Sequence, residues 1–299
     1  MVALMTEDMS RRPAADRAEA SAGSTGAVLA VDVGNTVTRC GLFVDGALEA
    51  TWEGATHDRM TSDEARLLIA NFFGMLERDC ARDEDGGRDA SVSMIGAGGP
   101  DDAILSSVVP DLTDIWVQAL ARECGRKPFV VGPGLKTGLK MHYNDPSEVG
   151  SDRVATLVAA RKRYGYPLIV VDLGTTTNFD VLDSDGAFAG GVIAPGIAMS
   201  AKALAQAAAR LPVIEVKVPS SVIGKSTREA MQAGVVCGEV ARIDGLVDAI
   251  WAELACETDV IATGANAPAI ASLSSRITLA DEFLALTGLG LLYELNSKR

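Results

Sequence analysis

The stretch LIVVDLGTTTNFD, residues Leu168–Asp180, decides the fold. Its apolar, β-favouring residues run into an aspartate, a glycine and a block of threonines, a pattern typical of a buried strand that feeds a polar turn. Glycine lets backbone N–H groups approach a bound group, threonine hydroxyls donate hydrogen bonds, and an aspartate can hold a cation. The stretch therefore predicts a turn that binds nucleotide phosphates.

A second copy of this pattern lies earlier in the chain, at VLAVDVGNT, residues Val28–Thr36. Each copy opens the same predicted series of three strands and a helix, with an Asp-Gly hairpin between the second and third strands. In the first half the predicted bounds are 28–33, 37–44, 47–52 and helix 61–80; in the second they are 168–173, 178–182, 188–192 and helix 196–209. Two phosphate turns in one chain suggest a duplicated core.

The remaining elements follow from apolar periodicity and from cap and breaker residues. Strands are predicted near 92–95, 103–109, 129–131 and 260–262, and helices at 111–124, 147–164, 227–254, 267–274 and 281–296. The helix at 147 would have Ser147 as its cap, and the one at 227 would break at Gly238 or Gly245 or run through. We expect a disordered tail at 1–26 and two domains, 27–166 and 167–299.

Composition excludes several classes of protein. The 299 residues are 48% hydrophobic, with 30 glycines, which is typical of a globular α/β protein. A net charge of −13 argues against a nucleic-acid partner, because no basic stripe offsets a phosphate backbone. The five cysteines are scattered without a C-x-x-C pair, which predicts reduced thiols in a cytoplasmic protein and no zinc site. No signal-peptide core and no membrane span is expected.

Two halves with this order and these turns resemble the actin-like ATPase (ribonuclease H-like) fold of actin, heat-shock ATPases and sugar kinases. The resemblance implies an α/β fold of two domains with a central cleft, where hairpins from both halves hold the phosphates of a nucleotide. The TGAN stretch at Thr263 would approach the adenosine, and the last helix would pack back on the first domain.

Nine ordered motifs narrow the resemblance to one family. They are DVGNT at Asp32, SSVVP at Ser106, KTGL at Lys136, a tyrosine seven residues before GSDR, DLGTTTNFD at Asp172, GGVIAPGI at Gly190, ARLP at Ala209, IGKST at Ile223 and TGAN at Thr263. The chain closely resembles type III pantothenate kinases. The resemblance implies ATP-dependent phosphorylation of pantothenate to 4′-phosphopantothenate, the first step of coenzyme A biosynthesis. Ala265 and Asn178 depart from the family's usual glycine and threonine.

The residues around the first turn are assigned to ATP. The ATP-binding set is Asp32, Val33, Gly34, Asn35, Thr36, Val37, Thr38, Arg39 and Thr175. A plain β-turn with Asx hydrogen bonding is the alternative for the first turn, and Arg39 would either reach the phosphates or point outward from its strand. The family resemblance also implies Mg²⁺ and a monovalent cation, K⁺ or NH₄⁺, the latter held by Asp172.

The acceptor side is assigned to the GSDR motif and its neighbours. The resemblance makes Asp152 the catalytic base, and the pantothenate-binding set is Tyr143, Gly150, Ser151, Asp152, Arg153 and Thr227. In the family this threonine comes from the neighbouring subunit, which implies a homodimer with shared active sites. The alternatives are a helix-dipole partner for Asp152, a surface salt bridge for Arg153, a strand-edge aromatic for Tyr143 and an N-cap for Thr227.

Two other functions stay open at this stage. A non-catalytic relative would bind nucleotide as a regulator, although the intact Asp32, Asp152 and Asp172 argue against that reading. An actin-fold sugar kinase is the second alternative, and GSDR with its upstream tyrosine argues against it.

Overall fold

A computed structural model describes residues 26–82, 99–207 and 211–297. Its strands are β1 Ala27–Val33, β2 Val37–Val44, β3 Ala47–Ala55, β4 Asp102–Ser107, β5 Phe129–Val130, β6 Leu168–Leu173, β7 Thr176–Leu182, β8 Phe188–Pro195, β9 Asp259–Thr263 and β10 Leu279–Ala280. Its helices are α1 Ser62–Arg82, α2 Pro110–Glu123, α3 Ser151–Tyr164, α4 Ile197–Ala207, α5 Thr227–Leu254, α6 Ala267–Ala271 and α7 Leu284–Ser297.

The strands form two sheets with the same topology. The first has the order β3-β2-β1-β4-β5, and the second, read from its other edge, has the order β8-β7-β6-β9-β10. In each sheet the opening strand is antiparallel to the next strand of its hairpin and parallel to the strand on its other side. This repeat confirms the predicted duplicated actin-like fold.

Side chains that alternate along β1 and β6 point into three separate layers of the hydrophobic core. Leu29, Val31 and Val33 pack with α1 and α2 on one face of the first sheet, and the corresponding residues of β6 pack with α4 and α5 on the outer face of the second. The opposite faces of both sheets meet in one shared core, filled by α3 and α7. Because side chains alternate along a strand, Asp32 and Asp172 belong to the faces that look toward this middle layer.

The last helix returns to the first sheet. The hydroxyl of Tyr293 in α7 lies 3.0 Å from a carboxylate oxygen of the buried Asp102. Gly288 of the same helix lies against the backbone of Ala155 in α3, where no Cβ would fit. The domain division at 166 stays a prediction, since α3 and α7 belong to a core that both sheets share.

Several predicted boundaries were wrong. The helix expected from Ser147 begins at Ser151, because Asp145 accepts a hydrogen bond from the Ser147 backbone N–H at 2.9 Å and closes a separate short 3-10 turn. The bounds of α5, in contrast, were predicted correctly, and this helix continues through Gly238 and Gly245 without a break. The last helix begins at Leu284 rather than at residue 281.

Other predictions cannot be followed in the structure. The strand near 92–95 and all of the predicted tail except Gly26 lie outside the described residues. In the part of the chain that is described, none of the helices has the length and apolarity needed to cross a membrane.

Candidate active site

Strand register assembles the first half of the site. Asp32 at the end of β1 lies directly opposite Arg39 on β2 and beside Ser106 on β4. Residues paired in this way point to the same face of the sheet, here toward the middle layer. Asp32 is buried, and its Oδ1 has no hydrogen-bond partner. Arg39 therefore faces the cleft, and its Nε lies 3.4 Å from Glu53.

The second half repeats this row of residues. Asp172 at the end of β6 lies opposite Asn178 on β7 and beside Thr263 on β9. The Oδ1 of Asn178 is also buried without a partner. Asn178, one of the two departures from the family pattern, thus places an amide beside the carboxylate of Asp172.

The two phosphate turns meet at their tips. The hydroxyls of Thr36 and Thr175 lie 2.8 Å apart, although 139 positions separate them in sequence. Each turn is closed by a glycine N–H, from Gly34 to the Val37 carbonyl at 3.0 Å and from Gly174 to the Thr176 carbonyl at 3.1 Å. A polyphosphate bound between the turns would contact residues from both halves of the chain.

The other residues predicted for ATP divide into two groups. Asn35 is exposed at the turn, and Val37 is half-buried beside it. Val33 is fully buried in the outer core. Thr38 is also buried, and its hydroxyl lies 2.9 Å from that of Thr56 on the sheet face opposite Arg39. The side chains of Val33 and Thr38 therefore shape the hairpin from behind.

Asp152 lies in the first turn of α3, at the same end of the middle layer. Its Oδ1 accepts a hydrogen bond from the Arg153 backbone N–H at 2.7 Å. Gly150 precedes the helix, and a Cβ there would collide with the Asp152 carboxylate. The Ser151 hydroxyl lies 2.9 Å from that of Ser106 and accepts from the Ser107 N–H at 3.1 Å. Ser151 thus fixes the start of α3 against the end of β4.

The carboxylates of Asp32, Asp152 and Asp172 influence one another electrostatically. Burial, reinforced by the nearby Asp152 carboxylate, raises the pKa of Asp32 to about 6 and that of Asp172 to about 7. Burial also raises the pKa of Asp152. The Arg39 cation opposes the rise at both Asp32 and Asp172. The aspartates of the cleft therefore raise one another's pKa, Arg39 partly offsets this, and added positive charge would stabilise the cleft.

Arg153 is not the surface salt bridge of the alternative reading. Its guanidinium is buried, and Nε donates to Asp180 Oδ1 at 2.9 Å. It also lies over the ring of Phe188, 5.3 Å from the centroid. Tyr143 stacks on the same ring, with centroids 5.3 Å apart and an interplanar angle of 19°. Phe188 thus joins two residues predicted to bind the acceptor.

Asp180 and Phe188 were missed in the sequence as site residues. Asp180 closes the quoted stretch, on the same face of β7 as Asn178, and this spacing of two is the signal that could have found it. Phe188 follows a hairpin as an ordinary apolar strand residue. Nothing in its local sequence distinguishes it from a core position.

Thr227 is the one predicted pantothenate-binding residue on α5. It is the first residue of α5 and is exposed. The N-cap is Ser226, whose Oγ accepts from the Glu229 N–H at 3.2 Å, so the reading of Thr227 as the cap is wrong. Among the described residues of one chain, no hydrogen bond or ion pair joins Thr227 to Tyr143 or Arg153.

The donor set is consistent with a cation that arrives with the nucleotide. Within the described residues, no group of three or more histidine, cysteine, aspartate or glutamate side chains forms a metal site. The unpartnered, buried Oδ1 of Asp32 nevertheless suits a cation or its bound water. A metal held partly by phosphate oxygens would need only one or two such carboxylates.

Comparison with known proteins agrees with this geometry. A family model described as type III pantothenate kinase matches residues 28–249. The chain belongs to the type III pantothenate kinase family. It is 42% identical over 269 residues to the type III pantothenate kinase of Anaeromyxobacter sp. (strain K), covering 90% of this chain and 99% of that one. The enzyme of that name from Halalkalibacterium halodurans is 39% identical over 272 residues, with the same coverage.

A solved structure supports the fold of this pantothenate kinase family member. A protein from Campylobacter jejuni, described as a conserved putative Baf family transcriptional activator, superimposes with a TM-score of 0.53. The superposition covers 90% of this chain and 98% of the Campylobacter jejuni chain, at 15% sequence identity. At that identity the likeness concerns the fold alone.

Proposed function

We propose that this protein transfers the γ-phosphoryl group of ATP to pantothenate and releases ADP and 4′-phosphopantothenate. The observation that carries the proposal is the meeting of the two turns that follow Asp32 and Asp172, whose Thr36 and Thr175 hydroxyls lie 2.8 Å apart. The names of the relatives supply the acceptor. Because phosphoryl transfer needs mainly positioning and charge stabilisation, an arrangement of this kind is sufficient for it.

On the donor side, the two turns hold the phosphates. Thr36 and Thr175 present hydroxyls from opposite halves, and Arg39 faces the same space as a cation. The exposed backbone of Asn35 adds donors at the tip of the first turn. Together these groups would align the γ-phosphate with the acceptor.

On the acceptor side, Asp152 accepts the proton of the attacking hydroxyl. Its raised pKa makes the carboxylate a better base than an exposed aspartate, because proton affinity increases with pKa. Arg153 is bound to Asp180 through part of its guanidinium and keeps further N–H groups for the anionic end of pantothenate. Tyr143, fixed on Phe188, closes the same side.

Cations would complete the site. Asp32 would hold Mg²⁺ or its water, which its unpartnered Oδ1 supports, and Asp172 would hold a monovalent cation, K⁺ or NH₄⁺. When bound, these ions neutralise phosphate charge. Each of them would also relieve the repulsion among the three aspartates.

A homodimer with shared sites would explain the position of Thr227. Large apolar side chains on β8 and on the segment before α5 are exposed, with Ile193 at 62%, Val213 at 83% and Ile223 at 79%. Such a surface typically marks a protein–protein contact. A second copy on this face would cover these residues and bring its own Thr227 toward a partner site, in a cytoplasmic enzyme.

The deciding experiment is a coupled assay of ADP release with purified protein, Mg²⁺, K⁺ and ATP. We expect ADP release that depends on pantothenate, and a product mass increased by one phosphoryl group. A panel of hexoses and acetate serves as the control acceptors. Release that is independent of pantothenate, or faster with a sugar, would reject the proposal.

A further inference from the structure

A buried acid lies behind the second phosphate turn. Glu239 of α5 is only 3% exposed, although glutamates are rarely buried unless they are paired. Its Oε1 accepts a hydrogen bond from the Thr177 hydroxyl at 2.5 Å. Its Oε2 is paired with Arg242, one helical turn further along α5. This pair belongs to the outer layer of the second half, on the far side of the sheet from the aspartates.

The pair contacts residues on two strands next to the turn. Thr177 is fully buried and sits on β7, two residues after Thr175. The Nη2 of Arg242 donates to the carbonyl of Pro195, the last residue of β8, at 2.6 Å. The next residue, Gly196, donates its N–H to the Thr175 carbonyl at 3.2 Å. One ionic pair on α5 therefore contacts β7, the strand that follows the Thr175 turn, and the end of β8, whose next residue is hydrogen-bonded to Thr175.

The fit at Gly196 shows how little freedom the turn has. A Cβ on Gly196 would lie 2.5 Å from the Thr175 carbonyl oxygen and 2.6 Å from that of Gly174. The backbone of the turn thus rests directly on the residue that follows the Arg242 contact. A shift of Pro195 would move the surface on which Thr175 lies.

We infer that Glu239 and Arg242 are positioning residues for the nucleotide: they hold the Thr175 turn in the geometry that binds the phosphates of ATP. The inference rests on the proposed function. Replacing a buried ion pair by apolar residues is often neutral for stability, whereas breaking one side leaves a charge without its partner. Without the pair, only backbone hydrogen bonds would hold the turn, because the Thr177 hydroxyl would have no acceptor on α5.

The test uses a matched pair of variants at Thr177. Thr177→Val keeps the shape but removes the hydroxyl, and Thr177→Ser keeps the hydroxyl. We expect Thr177→Val to weaken binding of a non-hydrolysable ATP analogue about tenfold, the scale of one hydrogen bond to a charged group. Thr177→Ser should stay within about threefold of wild type. The KM for pantothenate should not change in either variant.

Two further variants separate positioning from stability. Glu239→Gln should raise the KM for ATP as Thr177→Val does, because the neutral amide removes the charge that pairs with Arg242 and leaves one oxygen in place of the two that accept from Thr177 and Arg242. Tyr293→Phe removes a hydrogen bond to the buried Asp102, remote from the turn, and should lower the melting temperature without affecting nucleotide binding. If Glu239→Gln does not fold, the Thr177 pair alone decides.

Equal analogue affinity in Thr177→Val and Thr177→Ser would overturn the inference. So would a parallel rise in KM for ATP and pantothenate, which would indicate general loosening of the fold. Measurements on the wild-type protein test the proposed function separately from this inference. Analogue binding without pantothenate-dependent ADP release would reject the reaction, while the comparison at Thr177 would still decide the role of the pair.

Discussion

Asp152 shows how one residue can satisfy two physical roles. In the first turn of α3 its carboxylate interacts favourably with the helix dipole, as any aspartate there would. Asp152 also interacts with the carboxylates of Asp32 and Asp172, and the absence of a side chain at Gly150 leaves space for its carboxylate. A residue that served only the helix dipole would need neither feature. These neighbours favour the role of a base.

The first prediction replaces Asp152 by asparagine. Asp152→Asn should lower kcat by about two orders of magnitude or more, the contribution typical of a positioned base, because the amide cannot accept the proton. Binding of an ATP analogue should persist, since the change removes a negative charge near the phosphates. Steady-state kinetics and calorimetric titration measure the two effects.

Asp114→Asn, on the exposed side of α2, is the matched control and should leave both quantities unchanged. A value of kcat within about threefold of wild type in Asp152→Asn would return this residue to the role of a dipole partner.

The second prediction concerns the pH dependence of stability in the ligand-free protein. The pKa of Asp172 rises from 3.8 to about 7 on folding, so the folded state binds more protons than the unfolded state between these values. The stabilisation from this residue is therefore fully present below pH 4 and is lost as pH rises through 7. Asp172→Asn should raise the melting temperature at pH 8 and change it little at pH 3.5.

Thermal melts across this pH range measure the effect, with Asp185→Asn in an exposed hairpin as the control. At about 1.4 kcal/mol for each tenfold change in proton affinity, the gain at pH 8 is of the order of a few kcal/mol. Equal melting curves for wild type and Asp172→Asn at pH 8 would show that the charged carboxylate does not destabilise the folded protein.

Much of the site at this scale follows from the sequence, and the rest depends on distant contacts. Asp32 and Asp172 were predicted because each lies near the end of a strand before a glycine turn, a purely local pattern. Phe188 and Glu239 act through partners 35 or more positions away, such as Arg153 and Thr177. A local pattern does not reveal such a partner, so these residues read as ordinary core or helix positions.

At the scale of elements, the crossing of α3 and α7 holds the middle layer together. Gly288 lets the backbone of α7 lie against Ala155, with no space for a side chain. Gly290, two residues on, lies against the ring of Phe43 on β2. The close approach brings α7 onto both α3 and the first sheet.

The third prediction tests this crossing. Gly288→Ala should destabilise the protein by about 1–3 kcal/mol, the typical result of overpacking a well-filled core. Chemical denaturation measures the loss. Gly245→Ala is the control within a helix, because a Cβ at Gly245 meets nothing within 4 Å. That change should be neutral or stabilise the protein by up to about 1 kcal/mol. A neutral Gly288→Ala would mean that the helices can separate freely.

The success of the element predictions depends on how far their signals extend. The strand Leu168–Leu173 was predicted with its observed bounds, because an apolar run and a polar turn define both ends locally. The start of α3 was misplaced, because Ser147 has the features of a cap and yet belongs to the short turn that Asp145 closes. The two-residue strand β10 has no periodicity and forms only by pairing with β9.

At the scale of the molecule, charge governs the entry of ATP. A polyphosphate must enter a protein of net charge −13 and approach three aspartates whose pKa values are raised. Like charges brought together in a partly desolvated cleft repel strongly unless cations intervene. Arg39 is one such cation, and bound ions would have to supply the others.

The fourth prediction follows from this balance. Asp172→Ala should abolish activation by K⁺ and raise the KM for ATP, while the KM for pantothenate stays near its wild-type value. Activity is compared in K⁺, NH₄⁺ and a large organic cation at equal ionic strength, which keeps general screening constant. Full activation by K⁺ in Asp172→Ala would place the monovalent ion elsewhere.

The last prediction concerns the dimer, because Thr227 is exposed in a single chain and the apolar Ile223, four residues before it, is exposed as well. If each site combines Asp152 of one subunit with Thr227 of the other, a heterodimer of Asp152→Asn and Thr227→Trp chains has both lesions in one site and none in the other. Two inactive homodimers, mixed in equal amounts and allowed to exchange, should then recover about a quarter of wild-type activity, since half the dimers are mixed and each has one intact site. Exchange is verified independently with two differently tagged chains. Complete exchange without recovery would mean that each site is built within one subunit, and that Thr227 serves only the start of α5.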